Sequence, residues 1–132
     1  MDNFSNLYSK QVLDHFRNPR NMGEMKDPDA TATVGGAVCG DIMRLFIKVG
    51  EKQGKKYIQD VKFQTLGCVA AIATSSIITT MIKSKTLDEA EKITQQTVEV
   101  SLGGLPPAKR HCALLAAQGV KKALDNYFEK KK

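Results

Sequence analysis

The chain has 132 residues, a net charge of +6, 42% hydrophobic and 26% charged side chains. Those proportions belong to a folded globular domain and exclude disordered and collagen-like chains. A chain of this length buries well over half of its unfolded surface, so residues 1–132 read as one domain whose folding needs neither disulfide nor metal.

In chain order, Phe4, Tyr8, Val12 and Phe16 recur every fourth residue with Leu7 beside them, which predicts a helix with one apolar stripe. Asn18-Pro19 ends it, because a residue before proline avoids the helical region. After a loop, Ala30 to Val34 suits a short edge strand, and Gly35-Gly36-Ala37-Val38-Cys39-Gly40-Asp41 makes a tight glycine loop. Met43, Leu45, Ile47 and Val49 alternate with Arg44, Phe46 and Lys48. A turn over Gly50 to Gly54 and a second alternating run, Tyr57 to Thr65, complete an antiparallel sheet of three strands. Val69 opens a helix that is apolar on most sides and is expected to be buried on that sheet. Thr86-Leu87-Asp88-Glu89 is a capping-box pattern that starts a short helix. A glycine loop, Leu102 to Leu105, precedes Pro106-Pro107, which introduces a last helix with Cys112, Leu115, Ala116, Val120, Ala123, Leu124 and Tyr127 on its inner stripe. The order predicts an α+β fold: a three-stranded antiparallel sheet packed against helices in two layers.

The start of the chain has neither the basic nor the apolar region of a secretory leader. The most apolar run, Val69 to Ile82, is too short and too rich in Thr and Ser to cross a bilayer. A cytoplasmic protein with reduced thiols and no membrane association is expected. Half of the charge excess is Lys130, Lys131 and Lys132, at the end of a helix where cations are favoured. With 6% aromatics and no Trp, nucleic acid is not an expected partner; an acidic protein surface suits the positive field better.

The three cysteines each fall at a junction between elements. Cys39 is in the glycine loop, Cys68 where a strand meets a helix, and Cys112 early in the last helix. Element ends gather at the rim of a layered domain, so the three are expected to converge. Helix N-termini favour thiolate, the form that binds soft metals and attacks sulfur. Asp41 and His111 lie beside Cys39 and Cys112, which makes five candidate ligands. Each residue also has a plainer use: a cysteine as a small buried hydrophobe, Asp41 as a turn residue, His111 as a cap for backbone groups.

At these residues the chain resembles the IscU/NifU-type iron–sulfur cluster assembly scaffolds. The carriers are Tyr8-Ser9-x-x-Val12-x-Asp14-His15-Phe16-x-x-Pro19-Arg20-Asn21-x-Gly23, Cys39-Gly40-Asp41, and Gly67-Cys68-x-x-Ala71-Ile72-Ala73-x-Ser75-Ser76. The last is Leu105-Pro106-Pro107-Ala108-Lys109-x-His111-Cys112-x-x-Leu115-Ala116. The resemblance implies an IscU/NifU-N-like fold and the temporary holding of a nascent [2Fe–2S] cluster. It implies sulfur from a cysteine desulfurase, iron from a separate source, and transfer to apo iron–sulfur proteins. Cys39, Cys68 and Cys112 become cluster ligands, Cys112 also the persulfide acceptor, and Asp41 or His111 the fourth ligand. Zinc occupies the same site in members of the family. Leu105, Pro106, Pro107, Ala108 and Lys109 correspond to the segment held by an ATP-driven chaperone that works with a J-type cochaperone. Val38, Val69-Ala70, Ala108 and Ala113 depart from the family's frequent residues, and none of them is a ligand.

The donor set suits that role on chemical grounds. Four thiolates hold iron tightly. Three sulfurs plus an oxygen or imidazole leave one bond that exchanges more readily. Three other readings use the same residues. A zinc-dependent sulfur carrier would accept sulfur without building a cluster, and a structural zinc domain would use the metal for folding, which this core does not require. A Cys112 nucleophile with His111 as base would make an enzyme, but consecutive helical residues diverge by about 100°. A carrier rather than an enzyme is therefore expected.

Overall fold

The computed structural model describes residues 7–36 and 40–130. Phe4 and Cys39, each named above, lie outside them. The strands are β1 (Ala30–Gly35), β2 (Ile42–Lys52) and β3 (Lys55–Leu66), antiparallel in the order β1-β2-β3. The helices are α1 (Lys10–Arg17), α2 (Val69–Ile82), α3 (Leu87–Glu91), α4 (Gln95–Ser101) and α5 (Arg110–Lys130), with a 3-10 turn at Pro107–Lys109. This is the expected α+β arrangement of a three-stranded antiparallel sheet and helices.

Strand alternation decides which face is covered. Met43, Leu45 and Ile47 of β2 and Ile58, Val61 and Phe63 of β3 are buried with Ala30 and Ala32 of β1. Ile78 and Ile82 of α2 and Ala116, Val120, Ala123, Leu124 and Tyr127 of α5 complete that core. Phe46 departs from the alternating pattern, since it is buried among polar-face neighbours. The β2–β3 hairpin turns at Gln53-Gly54, both with positive φ, as a tight two-residue turn requires.

Both sheet edges are covered, which removes a template for unwanted strand pairing. On β1, Lys122 Nζ and Asn126 Nδ2 of α5 donate to the carbonyls of Thr33 and Thr31 at 2.9 and 2.8 Å. On β3, the Phe63 N–H donates to Asn21 O and the Gly23 N–H to Phe63 O, at 2.9 and 2.8 Å. Farther along, Ile58 exchanges backbone hydrogen bonds with Ser84 and Lys85.

The helices differ from the sequence expectation in three ways. First, α1 begins at Lys10, because the Ser9 hydroxyl caps the Val12 N–H; the same hydroxyl donates to Leu102 O. Second, α2 packs on α1 as well as on β3, so its hydroxyl side is interior. Ser76 and Thr79 are fully buried and bind the loop after α1: Ser76 Oγ accepts from the Arg20 N–H at 2.9 Å, and Thr79 Oγ1 accepts from Asn21 Nδ2 at 3.0 Å. Third, α4, capped by the Thr94 hydroxyl, was not anticipated. The Thr86–Glu89 capping box is present with both reciprocal bonds.

Candidate metal centre

The sheet register builds the site. Ile42 at the start of β2 pairs with Leu66 at the end of β3, which places Asp41 and Gly67 side by side at one end of the sheet. The α2 and α5 helices pack on the sheet and against each other, and α5 brings His111 and Cys112 to that end in its first turn. Cys68 is the N-cap residue of α2, with extended backbone.

Asp41, His111 and Cys112 converge, each offering one ligand atom, all within 4.8 Å of one another. His111 Nε2 lies 2.8 Å from Asp41 Oδ2. The Cys112 thiol points at the same oxygen from 3.6 Å and lies 3.7 Å from His111 Nε2. Two nitrogen or oxygen ligands on one tetrahedral zinc would stand about 3.3 Å apart, so only small movements separate this cluster from a coordinating one. Asp41 and Cys112 are buried, while His111 is exposed. A metal would therefore be held from the inside and reached from solvent on the imidazole side.

Cys68 is a fourth neighbour and not a member of that close group. It packs with Leu105 and Tyr8 around Cys112, Ala70 and Ala71. Lys109 stands beside Cys68, and charge attraction to that sulfur, against burial and with Tyr8 adding less, holds the ammonium pKa above its ordinary value. Lys109 thus has a second setting, at the site itself, beyond the chaperone-segment role implied by the resemblance. Tyr8, half-buried with its phenol pKa raised by burial and then by Cys68, joins the same wall. Neither Tyr8 nor Lys109 stood out by spacing as a site residue.

Two expectations change. Thiolate character was expected at the cysteines near helix N-termini, yet the Cys112 thiol is pushed well above its usual range. Burial is the largest cause, followed by Cys68 and Asp41, and together they outweigh the helix N-terminus. Metal or sulfur must displace a proton there. The second concerns His111 and Cys112, expected to diverge. Both side chains instead reach Asp41 Oδ2 and stand 3.7 Å from each other, and the Asp41 carboxylate engages the His111 nitrogen that a nucleophilic pair would need.

The Leu105 to Lys109 segment leads directly into α5. Pro107 and Ala108 are exposed, but Pro107–Lys109 forms a 3-10 turn and Leu105 is half-buried against the cluster of Cys112 and Ala71. Proline's fixed φ suits a helical first turn as well as an extended strand, and the start of α5 selects the first.

The sequence matches the NifU-like N terminal domain over residues 7–132. The chain belongs to that family. Among relatives of this NifU-like domain, "Iron-sulfur cluster assembly scaffold protein IscU 1" of Archaeoglobus fulgidus is 52% identical over 124 residues, covering 94% of this chain and 78% of that protein. "Iron-sulfur cluster assembly scaffold protein IscU" of Azotobacter vinelandii is 49% identical over 127 residues, covering 94% and 96%. A solved NifU-like N-terminal protein from Brucella abortus shares the fold at a TM-score of 0.70 and 20% identity, over 96% of this chain and 98% of that one. In this NifU-like domain, no helix among the described residues is long and apolar enough to cross a membrane.

Proposed function

We propose that this protein is a scaffold on which an iron–sulfur cluster is assembled and from which it is passed to apo iron–sulfur proteins. The observation that carries the reading is the convergence of Asp41, His111 and Cys112 beside Cys68, at one end of a fold whose relatives bear scaffold names. The cluster is cargo, so a site of mixed hardness is an advantage: soft sulfur holds iron, and a carboxylate or imidazole lets go more readily. We assign the cargo as [2Fe–2S], with Cys39, Cys68 and Cys112 as sulfur ligands and Asp41 or His111 as the fourth. Zinc fits the same donors.

Cys112 is assigned as sulfur acceptor. Its thiol loses a proton to a base, and two groups face it, Asp41 Oδ2 at 3.6 Å and His111 Nε2 at 3.7 Å, so the step survives loss of the carboxylate. The thiolate attacks the terminal sulfur of a persulfide carried by a cysteine desulfurase. The desulfurase S–S bond breaks, and its cysteine leaves as thiolate. The protein itself turns over no substrate in this scheme. Leu105, Pro106, Pro107, Ala108 and Lys109 are assigned to an ATP-driven chaperone with its J-type cochaperone, and the whole chain, as one domain, to the cytoplasm.

The test is anaerobic reconstitution with iron, cysteine and a desulfurase, followed by absorption and Mössbauer spectra. Sulfide-to-iron charge-transfer bands, with transfer to an apo-ferredoxin, are the expected result. Sulfur acceptance on Cys112 with zinc bound and no such bands under any condition would replace the scaffold by a sulfur carrier.

A further inference from the structure

Gly67 sits between the end of β3 and the first turn of α2, beside Asp41. A Cβ placed on Gly67 would stand 2.4 Å from Asp41 Oδ1, 3.2 Å from its Cγ, and 2.7 Å from Ala71 Cβ. Real Cβ atoms do not approach that closely, so something has to move. The backbone does not require glycine here, because Gly67 is not among the residues with positive φ. Space alone excludes a side chain.

The main chain of Asp41 has little freedom to yield. The Gly36 N–H donates to Asp41 O at 3.1 Å. A Cβ on Gly35, whose φ is +89°, would fall 2.0 Å from that same carbonyl oxygen. One glycine therefore admits the Asp41 carbonyl, and the other admits its carboxylate. With the main chain of Asp41 held, a side chain at position 67 requires the carboxylate to rotate away, besides a shift of the first turn of α2 that frees it from Ala71 Cβ. That rotation removes Asp41 Oδ2 from both His111 and Cys112, which it contacts at 2.8 and 3.6 Å. The other crowded glycines lack this consequence. Gly50 faces Gln59 and Tyr57, Gly103 faces Gln11 and Gly119 faces Met43, none of them a candidate ligand.

We infer that Gly67 is a positioning residue for the metal centre: its missing side chain is the space that aims the Asp41 carboxylate at His111 and Cys112. The inference rests on the proposed metal-centre reading for its consequence, though not for its geometry. It makes Gly67 the selector of how much oxygen character the site offers. A side chain there converts the centre into one with sulfur and imidazole donors only, without changing any ligand residue.

The experiment is a double-mutant cycle of Gly67→Ala and Asp41→Ala in the full chain, read in two ways. Metal-free protein is titrated with Co2+, whose thiolate charge-transfer bands report binding. Each single variant is expected to weaken Co2+ by about tenfold, the usual effect of losing a ligand-orienting partner. The double variant is expected to match Asp41→Ala alone, because Gly67 acts only through Asp41. Separately, in the metal-free protein, NMR cross-peaks between the His111 ring and the Asp41 β-protons are expected in the parent and absent from Gly67→Ala. A persisting His111–Asp41 contact, or an equal further loss of Co2+ affinity in the Asp41→Ala background, would overturn the inference. A parent that binds no Co2+ would defeat the metal-centre reading, while the cross-peaks still decide the role of Gly67. Should Gly67→Ala fold poorly, the cycle is run in an Ala71→Gly background, which removes the helix conflict and leaves the carboxylate as the obstacle.

Discussion

His15 is buried away from the metal centre and touches Ser76 Oγ through Nδ1 at 2.7 Å. Ser76 already accepts from the Arg20 N–H, so its own hydroxyl can donate to a neutral imidazole. Burial first, and the Arg20 charge second, lower the His15 pKa below its ordinary 6.5, with Asp14 opposing. Because the folded value is the lower one, the contribution of His15 to stability is complete above about pH 6.5. Below that, the unfolded chain takes up a proton that the folded chain refuses, and stability falls until the folded value is passed. Melting temperatures of the parent and His15→Gln between pH 5 and 8 are expected to diverge at high pH and converge as pH falls. At the proposed site, Asp41→Ala is expected to leave cluster assembly in place and slow its transfer to an apo-ferredoxin. Faster transfer would remove Asp41 as the exchangeable ligand. The identity of both residues as noteworthy was legible in their motifs. That His15 is an interior residue bonded to α2 was not, because a histidine at the edge of an apolar stripe has no sequence mark for burial.

Among elements, α3 is the one most fully written in local sequence. Thr86 Oγ1 accepts from the Glu89 N–H at 3.1 Å, and Glu89 Oε1 accepts from the Thr86 N–H at 3.0 Å. Thr86→Ala is expected to cost about 1 kcal/mol in denaturant melts. The Thr86 N–H first, and the Thr86 hydroxyl second, lower the Glu89 pKa by bonding its carboxylate, so its contribution holds at neutral pH and is lost as pH falls through the folded value. The α5 helix poses the opposite case. Gly119 sits in its middle, a poor helix residue, yet a Cβ there would come within 2.2 Å of Met43 Cε. Gly119→Ala gains helix propensity and overfills the contact with β2. A net loss of about 1–3 kcal/mol is expected, provided Met43 cannot swing aside. Met43→Leu, which lacks that terminal methyl, is the rescue that checks the cause. The 3-10 turn at Pro107–Lys109 makes a further prediction. A peptide spanning Gly103 to Cys112 is free of that turn, so it is expected to compete for a chaperone at least as well as the folded protein. Equal competition by a peptide lacking both prolines and Lys109 would argue against the segment.

At the scale of the molecule, the core of sheet, α2 and α5 forms without any metal contact, so chelators are expected to leave a cooperative melting transition. Zinc at 100 times its dissociation constant is expected to add about 2.7 kcal/mol, read as a rise in melting temperature. The strand alternation, the capping box, the proline start of α5 and the five polar candidates could all be read along the chain, because each is a short-range pattern imposed by backbone geometry. The burial of Ser76 and Thr79 could not, since it depends on α1 and the Arg20–Asn21 loop arriving from the other end of the chain. The raised Cys112 pKa likewise arises from Cys68 and Asp41 closing on a buried thiol, which no local pattern records. Gly67 shows the boundary most clearly. In the sequence it is one glycine before a cysteine. Once Ile42 pairs with Leu66, it becomes the space an aspartate carboxylate needs, because register brings together two residues that share no local geometry.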